Sequence, residues 1–130
     1  MNEYSFEKLD LYNLAREYRG KIYKLVKELP SEEKFNLTNQ MRRAALSLTN
    51  NIAEGHGRYH FQENIQFLRQ SRGSLEELID DINLCIDEEY AEGDRLSKLK
   101  EEAYCLLKSL NSYIKYLRVK KDEASLKLIN

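Results

Sequence analysis

The stretch LYNLAREYRGKIYKLVKEL, residues 11–29, carries apolar side chains at alternating steps of four and three residues. Such steps put side chains on one face of an α-helix and are typical of the seam of a helical bundle. The side chains of this seam are Leu11, Ala15, Tyr18, Ile22, Leu25 and Leu29. The sequence therefore predicts a first helix over about residues 6–29.

Three further apolar side chains, Tyr12, Tyr23 and Val26, fall beside this seam when residues are placed at 100° intervals. The apolar arc of the first helix is then wider than one core needs. Isolated apolar side chains are common on protein surfaces, but a flanking stripe on a bundle helix indicates association. We therefore expect these three residues to lie in a subunit interface.

Three more stretches show helical periodicity, at about residues 31–54, 61–87 and 94–120. One Pro and five Gly in 130 residues are a poor supply of turn formers for a β sandwich or barrel. Because the links are short, consecutive helices should run in opposite directions. We therefore predict an all-α fold, an antiparallel up-down-up-down four-helix bundle that forms one domain over residues 1–130.

Local signals set the expected helix ends. Ser31 offers an N-cap directly after Pro30, and Gly55 stands where a C′ glycine would close the second helix. Gly73 interrupts the third helix at a cost of roughly 1 kcal/mol relative to Ala, so we expect a neighbouring group to need the room. Residues 121–130 are expected to be a frayed tail.

The composition excludes several classes of protein. The chain has 21 basic and 22 acidic residues, for a formal net charge of −1, so its global charge does not indicate a nucleic-acid partner. No run approaches eighteen apolar residues, and the N-terminus lacks the features of a signal peptide. We therefore expect a cytoplasmic protein in which Cys85 and Cys105 are ordinary reduced helix residues.

Charge is unevenly distributed along the chain. The predicted first helix has a net charge of +2, the third helix taken to Tyr90 has −6, and the region from Ala91 onward has +3. Solvated faces of amphipathic helices explain most such asymmetry, but clustered basic residues also bind phosphates. The residues that we predict as RNA or DNA contacts are Arg16, Arg19, Lys24, Lys27, Arg42, Lys115 and Arg118.

The predicted second helix has a polar strip directly beside its apolar arc. Five side chains fall within about 80° of one another: Gln40, Arg43, Ser47, Asn51 and Glu54. Buried polar groups need partners, since an unpaired one costs about 1–3 kcal/mol. We therefore predict a structural network in which Arg43 pairs with a carboxylate, with a ligand-binding or catalytic strip as the alternative. The candidate carboxylates are Glu54, Glu76 and Glu77.

No catalytic or metal site is predicted. His56 and His60 have the spacing of two zinc ligands on a helix, but no Cys or carboxylate beside them completes a ligand set. The chain has no GxSxG, Walker or GxGxxG sequence. We therefore expect no catalytic residue, no bound metal and no cofactor.

Three motifs occur in order along the predicted second and third helices. They are FNLTNQMRRAALS at residues 35–47, NIAEG at residues 51–55, and FL followed by RGSLEEL between residues 67 and 78. Together they resemble the bacterial four-helix-bundle family encoded by intervening sequences within large-subunit ribosomal RNA genes. The chain departs from that family at Gln70 and Ser71, where an apolar residue and Ala are usual.

The resemblance implies a left-handed bundle that assembles into a homopentameric ring. The accessory proteins of diversity-generating retroelements are related in architecture and use a basic surface to bind nucleic acid and a reverse transcriptase. Members of the family that this chain resembles have no established activity. We therefore expect a non-enzymatic homo-oligomeric scaffold that can bind RNA or a ribonucleoprotein. The alternative is a protein-binding module that recruits a basic partner through its acidic third helix.

Overall fold

The computed structural model describes residues 5–129, and within this range the chain is all-α with no strand. Its four helices are α1 (Asp10–Val26), α2 (Leu37–His56), α3 (Phe61–Asp87) and α4 (Gly93–Ile129). Short 3-10 turns, Phe6–Lys8 and Ser31–Glu33, precede α1 and α2. The predicted fold class, an all-α four-helix bundle, is therefore confirmed.

The helices surround the core in chain order. Helices α1 and α3 each contact α2 and α4 but do not contact one another, so they lie diagonally across the bundle. Arg95 near the start of α4 pairs with Glu28 just beyond the end of α1. Lys121 near the end of α4 donates to Gln62 at the start of α3. These contacts are consistent with the predicted antiparallel course, whereas the left-handed sense stays a prediction.

One continuous apolar core is built from all four helices. It contains the predicted seam of α1 from Leu11 to Leu25, and Leu29 packs against its edge. The buried Tyr18 hydroxyl donates to the backbone carbonyl of Leu99 at 2.9 Å, which joins α1 to α4 inside this core. The periodicity of the apolar side chains therefore identified the buried face correctly.

Two helices begin later than the sequence predicts. The first is delayed because Leu9 has extended backbone angles, φ −78° and ψ 121°, which separate the 3-10 turn from α1. The second begins at Leu37 and not at Ser31. Ser31 opens only a 3-10 turn, and Asn36 leaves the helical region with φ −127° and ψ −98°.

Gly55 lies inside α2 and is buried, so the prediction that it closes this helix is wrong. A Cβ atom on Gly55 would lie 2.9 Å from the Cβ atom of Phe67, because α3 packs directly against this backbone. Helix α2 ends at His56, and Gly57 is its C-cap. The expectation for Gly73 is also wrong: no neighbouring atom lies within 4 Å of the place its Cβ would take.

Helix α4 continues to Ile129, so the stretch that the sequence predicts as a frayed tail is helical where the structure describes it. Its last turns extend about 12 Å past Lys121, at about 1.5 Å per residue. The side chains of residues 121–128 are exposed, with Leu126 at 60% and Leu128 at 90%. The sequence predicts an end near residue 120 because the side chains beyond it have no core partners, although no residue there breaks the helix.

Candidate nucleic-acid interface

The second half of α4 combines positive charge with exposure. Between Tyr104 and Lys121 there is no acidic residue, and the five basic residues are Lys108, Lys115, Arg118, Lys120 and Lys121. All five are exposed because the apolar side chains of the same helix face the core. Lys108 and Lys115 are seven residues apart, so they share the outer side of the helix. Lys120 pairs with Glu123 of the same helix at 3.6 Å, so part of this positive charge is neutralised within α4.

Two tyrosines stand among these basic side chains. Tyr104 is 52% exposed and Tyr116 is 51% exposed. The ammonium group of Lys120 lies 5.7 Å from the ring centre of Tyr116, and Tyr113 stacks on the same ring at 5.8 Å. Tyrosine rings can stack on nucleic-acid bases, and lysines can bind the phosphates beside them.

A shallow groove of about 370 Å³ runs between tyrosine and lysine side chains of α4. Its lining residues are Tyr104, Leu107, Lys108, Asn111, Ser112 and Lys115. Arg72 of α3 donates to Asn111 Oδ1 at 2.9 Å, which brings a further guanidinium to the edge of this groove. We call the exposed residues between Tyr104 and Lys121, together with Arg72, the basic face.

The structure distributes the predicted nucleic-acid contacts over three helices. Lys115 and Arg118 belong to the basic face, and Arg42 is exposed on α2. Arg19 is half-buried and donates to Thr49 Oγ1 at 2.8 Å, so it ties α1 to α2. The remaining three residues are exposed: Arg16 and Lys24 lie on α1, and Lys27 is its C-cap. The tyrosines of the basic face were not predicted, although their spacing from the lysines is visible in the sequence.

An acidic stretch begins one helical turn after Arg72 and follows α3 away from the basic face to the start of α4. Between Glu76 and Asp94 there is no basic residue, and the acidic ones are Glu76, Glu77, Asp80, Asp81, Asp87, Glu88, Glu89, Glu92 and Asp94. At this end Tyr90 donates a hydrogen bond to Glu33 Oε2 at 2.8 Å. This hydrogen bond is the main reason that the pKa of Tyr90 rises to about 12. Charge is therefore separated along the bundle as well as around it.

Asp81 is the buried member of this stretch. It is 7% exposed, and its Oδ2 atom has no hydrogen-bond partner among the described residues. Burial, followed by the nearby charges of Glu77 and Asp80, raises the pKa of Asp81 to about 6. Burial also raises the pKa of the neighbouring Cys85 thiol to about 11, so this thiol is protonated at neutral pH.

The predicted role of Arg43 is wrong. Arg43 is exposed and forms no hydrogen bond or ion pair with any residue in the described part of the chain. Gln40 and Glu77 are also exposed, and Glu54 pairs with Arg58 on the surface at 3.1 Å. These side chains border the apolar arc, but the neighbouring helices do not extend over them.

A smaller polar network does join α2 to α3. Asn51 Nδ2 donates to the hydroxyl of Ser47 at 2.9 Å, and Ser74 Oγ donates to the same hydroxyl at 2.9 Å. Ser71 is fully buried and donates to the carbonyl of Leu48 at 2.8 Å. Ser71 and Ser74 were not predicted, although Ser71 falls on the apolar arc of α3, where a hydroxyl needs a partner.

The predicted interface residues on α1 contribute to the chain's own core. Val26 is 3% exposed, so the expectation that it forms surplus surface is wrong. Tyr12 and Tyr23 are partly buried against the core, and the ring of Phe6 lies edge-on to Tyr12 at 4.7 Å. Their place in a subunit interface stays a prediction.

The histidines lie at a helix boundary. His56 is the last residue of α2, which extends farther than the two glycines beside it suggested, and His60 directly precedes α3. Across residues 5–129 no group of three or more His, Cys, Asp or Glu side chains could hold a metal ion. In the same range no helix is both long and apolar enough to cross a membrane.

Comparison with known proteins identifies one family. The model of the family described as 23S rRNA-intervening sequence protein matches residues 7–112. A crystal structure from Bacteroides thetaiotaomicron, of a protein of unknown function from the S23 ribosomal protein family, superposes with a TM-score of 0.75. It is 24% identical, and the match covers 81% of this chain and 98% of that one, so it supports the fold alone. No curated protein matches the sequence.

Proposed function

Because the chain belongs to the 23S rRNA-intervening sequence protein family, we propose that it is a non-enzymatic homo-oligomeric scaffold that binds RNA through its basic face. The family name associates the chain with ribosomal RNA. The basic and tyrosine side chains of α4 form a surface that is suited to RNA. Nonspecific affinity for nucleic acid arises from local basic contacts that release counterions, so a slightly acidic chain can still bind. Repetition of the face in an oligomer would add weak contacts through multivalency.

The observation that carries this proposal is the composition of the basic face. Five basic residues and no acidic residue stand between Tyr104 and Lys121. Lysines that bracket half-exposed tyrosines are suited to an unpaired strand, because phosphates meet the ammonium groups while bases stack on the rings. The acidic stretch at the far end of α3 would repel the same backbone. Both features favour one orientation of bound RNA.

Fluorescence anisotropy titrations with structured RNA, single-stranded RNA and duplex DNA test the proposal. We expect the tightest binding to single-stranded RNA, with affinity that falls steeply as salt rises. Lys108→Glu combined with Lys115→Glu should abolish binding at moderate salt. Tyr104→Leu should weaken binding to the single strand more than binding to the duplex. Absence of a complex with all three ligands at low salt would contradict the proposal.

The matched control reverses charge on another helix. Arg43 is an exposed basic residue of α2, outside the basic face and not among the predicted nucleic-acid contacts. Arg43→Glu changes the net charge of the chain by the same amount as Lys108→Glu alone. If the two single variants weaken binding equally, then the effect comes from global charge and not from the basic face.

The acidic stretch favours a second candidate function. Nine acidic and no basic residues between Glu76 and Asp94 form a surface suited to a basic protein partner. In this case a pull-down from the native host would recover a basic protein and no RNA. Charge reversal at Asp87 and Glu88 would abolish that capture, whereas reversal at Lys108 and Lys115 would leave it unchanged.

A further inference from the structure

The shallow groove of the basic face ends at a pair of side chains from two helices. Arg72 of α3 donates to Asn111 Oδ1 of α4 at 2.9 Å. A guanidinium group has donors and no acceptor, so Asn111 must turn its oxygen toward Arg72 and its Nδ2 amide away from it. The remaining N–H groups of the two side chains have no partner among the described residues. The pair therefore presents chiefly hydrogen-bond donors to a ligand.

The rest of the groove has the same donor character. Lys108 and Lys115 line it with ammonium groups, and no carboxylate is among its lining residues. Ser112 adds a hydroxyl that can donate or accept. A ligand in this groove is therefore recognised best through acceptor atoms.

The α3 side of the groove is basic up to Arg72 and acidic after it. No acidic residue stands between Glu63 and Glu76, and Arg69 lies about one turn before Arg72. Glu76 follows Arg72 by one turn, is exposed, and does not line the groove. It forms no hydrogen bond or ion pair with Arg72, so the free donors of the guanidinium stay available.

The groove has room for one nucleobase. Its volume of about 370 Å³ lies within the range of small-ligand sites. Tyr104 is 52% exposed and precedes Asn111 by seven residues. This separation is about 10 Å along the helix axis, at about 1.5 Å per residue. A base that stacks on the ring of Tyr104 can then turn one edge toward the amide of Asn111.

The four bases differ in what they offer to a set of donors. Guanine has two adjacent acceptors, O6 and N7, and an arginine that binds both at once is the commonest specific contact with a base. Adenine sets an amino donor beside N7, and cytosine carries the amino donor N4. Uracil, like thymine, presents O4 alone on the corresponding edge. A groove rich in donors therefore favours guanine.

We propose that this groove binds a guanine base of single-stranded RNA. The base stacks on Tyr104, and its O6 and N7 atoms accept hydrogen bonds from Arg72 and Asn111. Lys108 and Lys115 contact the phosphates beside it. This inference rests on the proposed RNA-binding function and names the base that the basic face prefers. An unpaired guanine is required, because a base inside a duplex is stacked on its neighbours and cannot stack on a side chain.

Anisotropy titrations of the full chain with short oligouridylates that differ in one central nucleotide test this preference. A central guanosine should bind at least about fivefold more tightly than adenosine, cytidine or uridine, the lower end of the range for a bidentate contact. Inosine keeps O6 and N7 and should bind like guanosine. A guanosine analogue with carbon in place of N7 should lose most of the preference. Equal affinity for all nucleotides, or a preference that survives the loss of N7, would overturn the inference.

Two substitutions test the residues that read the base. Arg72→Lys keeps the charge and removes the planar fork of donors, and Asn111→Ala removes the amide. Each should bring the ratio of affinities for the guanosine and adenosine oligomers close to one. The matched control is Glu76→Gln, one turn from Arg72 on the same helix, which should keep the ratio. Retention of the ratio in both variants, or its loss in the control, would contradict the assignment.

The outcomes separate this inference from the proposed function. Equal binding of all oligomers that is lost in Lys108→Glu with Lys115→Glu would overturn the guanine preference alone, and the proposed function would stand. Absence of any complex at low salt would contradict both.

Discussion

The Oδ1 atom of Asn64 lies 2.7 Å from the position that a Cβ atom on Gly55 would occupy. Asn64 is buried, and this oxygen has no hydrogen-bond partner among the described residues. The close approach of α2 and α3 at this point therefore depends on the absence of a side chain at position 55.

Gly55→Ala should lower the free energy of unfolding by about 1–3 kcal/mol, because overpacking forces the two helix backbones apart. Thermal or denaturant unfolding measures the loss. The matched control is Gly57→Ala, since a Cβ there would meet Glu54 O at 3.6 Å and Ala53 O at 3.9 Å, both ordinary van der Waals distances. Equal stability of the two variants would show that the contact between Gly55 and Asn64 is easily relieved.

Tyr18→Phe should lower the free energy of unfolding by about 1 kcal/mol, since the hydrogen bond to the carbonyl of Leu99 is lost while the ring stays in place. Arg43→Ala should change it by less than about 0.5 kcal/mol, because Arg43 is an exposed side chain without a partner in the described chain. A larger loss for Arg43→Ala than for Tyr18→Phe in urea unfolding would restore the predicted structural role of Arg43.

Asp81→Asn should raise stability above pH 6 and flatten its pH dependence. The pKa of Asp81 rises from 3.8 to about 6 on folding, so the folded chain holds a proton that the unfolded chain has released in this window. The free energy of unfolding therefore falls as pH rises from about 4 to about 6. Each pKa unit corresponds to about 1.4 kcal/mol, which gives a gain of up to about 3 kcal/mol for the variant at neutral pH.

Urea unfolding at a series of pH values measures this effect. Asp87→Asn is the matched control, because Asp87 is an exposed carboxylate near the end of the same helix. The wild-type chain and the Asp87 variant should lose stability in parallel between about pH 4 and pH 6. A parallel loss in the Asp81 variant would mean that the carboxyl group of Asp81 in the wild-type chain is not the source of the pH dependence.

Ending the chain after Lys121 should leave the free energy of unfolding within about 0.5 kcal/mol of the full value. The side chains removed are exposed wherever the structure describes them, and they add nothing to the core. The far-UV circular dichroism should lose the signal of these last two helical turns. A large drop in the unfolding temperature would instead show that the end of α4 is covered by another chain.

The apolar periodicity predicted the fold because it is a property of each helix alone. Leu11, Tyr18 and Leu25 are buried as their spacing requires. The helix ends were harder to predict because they depend on backbone angles and on neighbours. Ser31 has the right chemistry for an N-cap, but the chain turns again at Asn36 before α2 begins.

The candidate site was predicted less well because the burial of a polar side chain depends on which helix lies beside it. Arg43 borders the apolar arc of α2, yet no helix covers it, whereas Ser71 faces a carbonyl of α2. The two glycines show the same limit. Gly55 looked like a helix end and is a point of close packing, while Gly73 looked like a point of close packing and is open within the single chain.

The separation of the acidic stretch from the basic face gives the molecule an electric dipole along its long axis. In the field of a polyanion such a dipole experiences a torque that turns the end bearing Lys115 forward before any contact forms. At physiological ionic strength the Debye length is about 8 Å, so this torque acts only during the final approach. For the proposed RNA ligand, salt concentration would therefore change the angle of encounter independently of the strength of the contacts made afterwards.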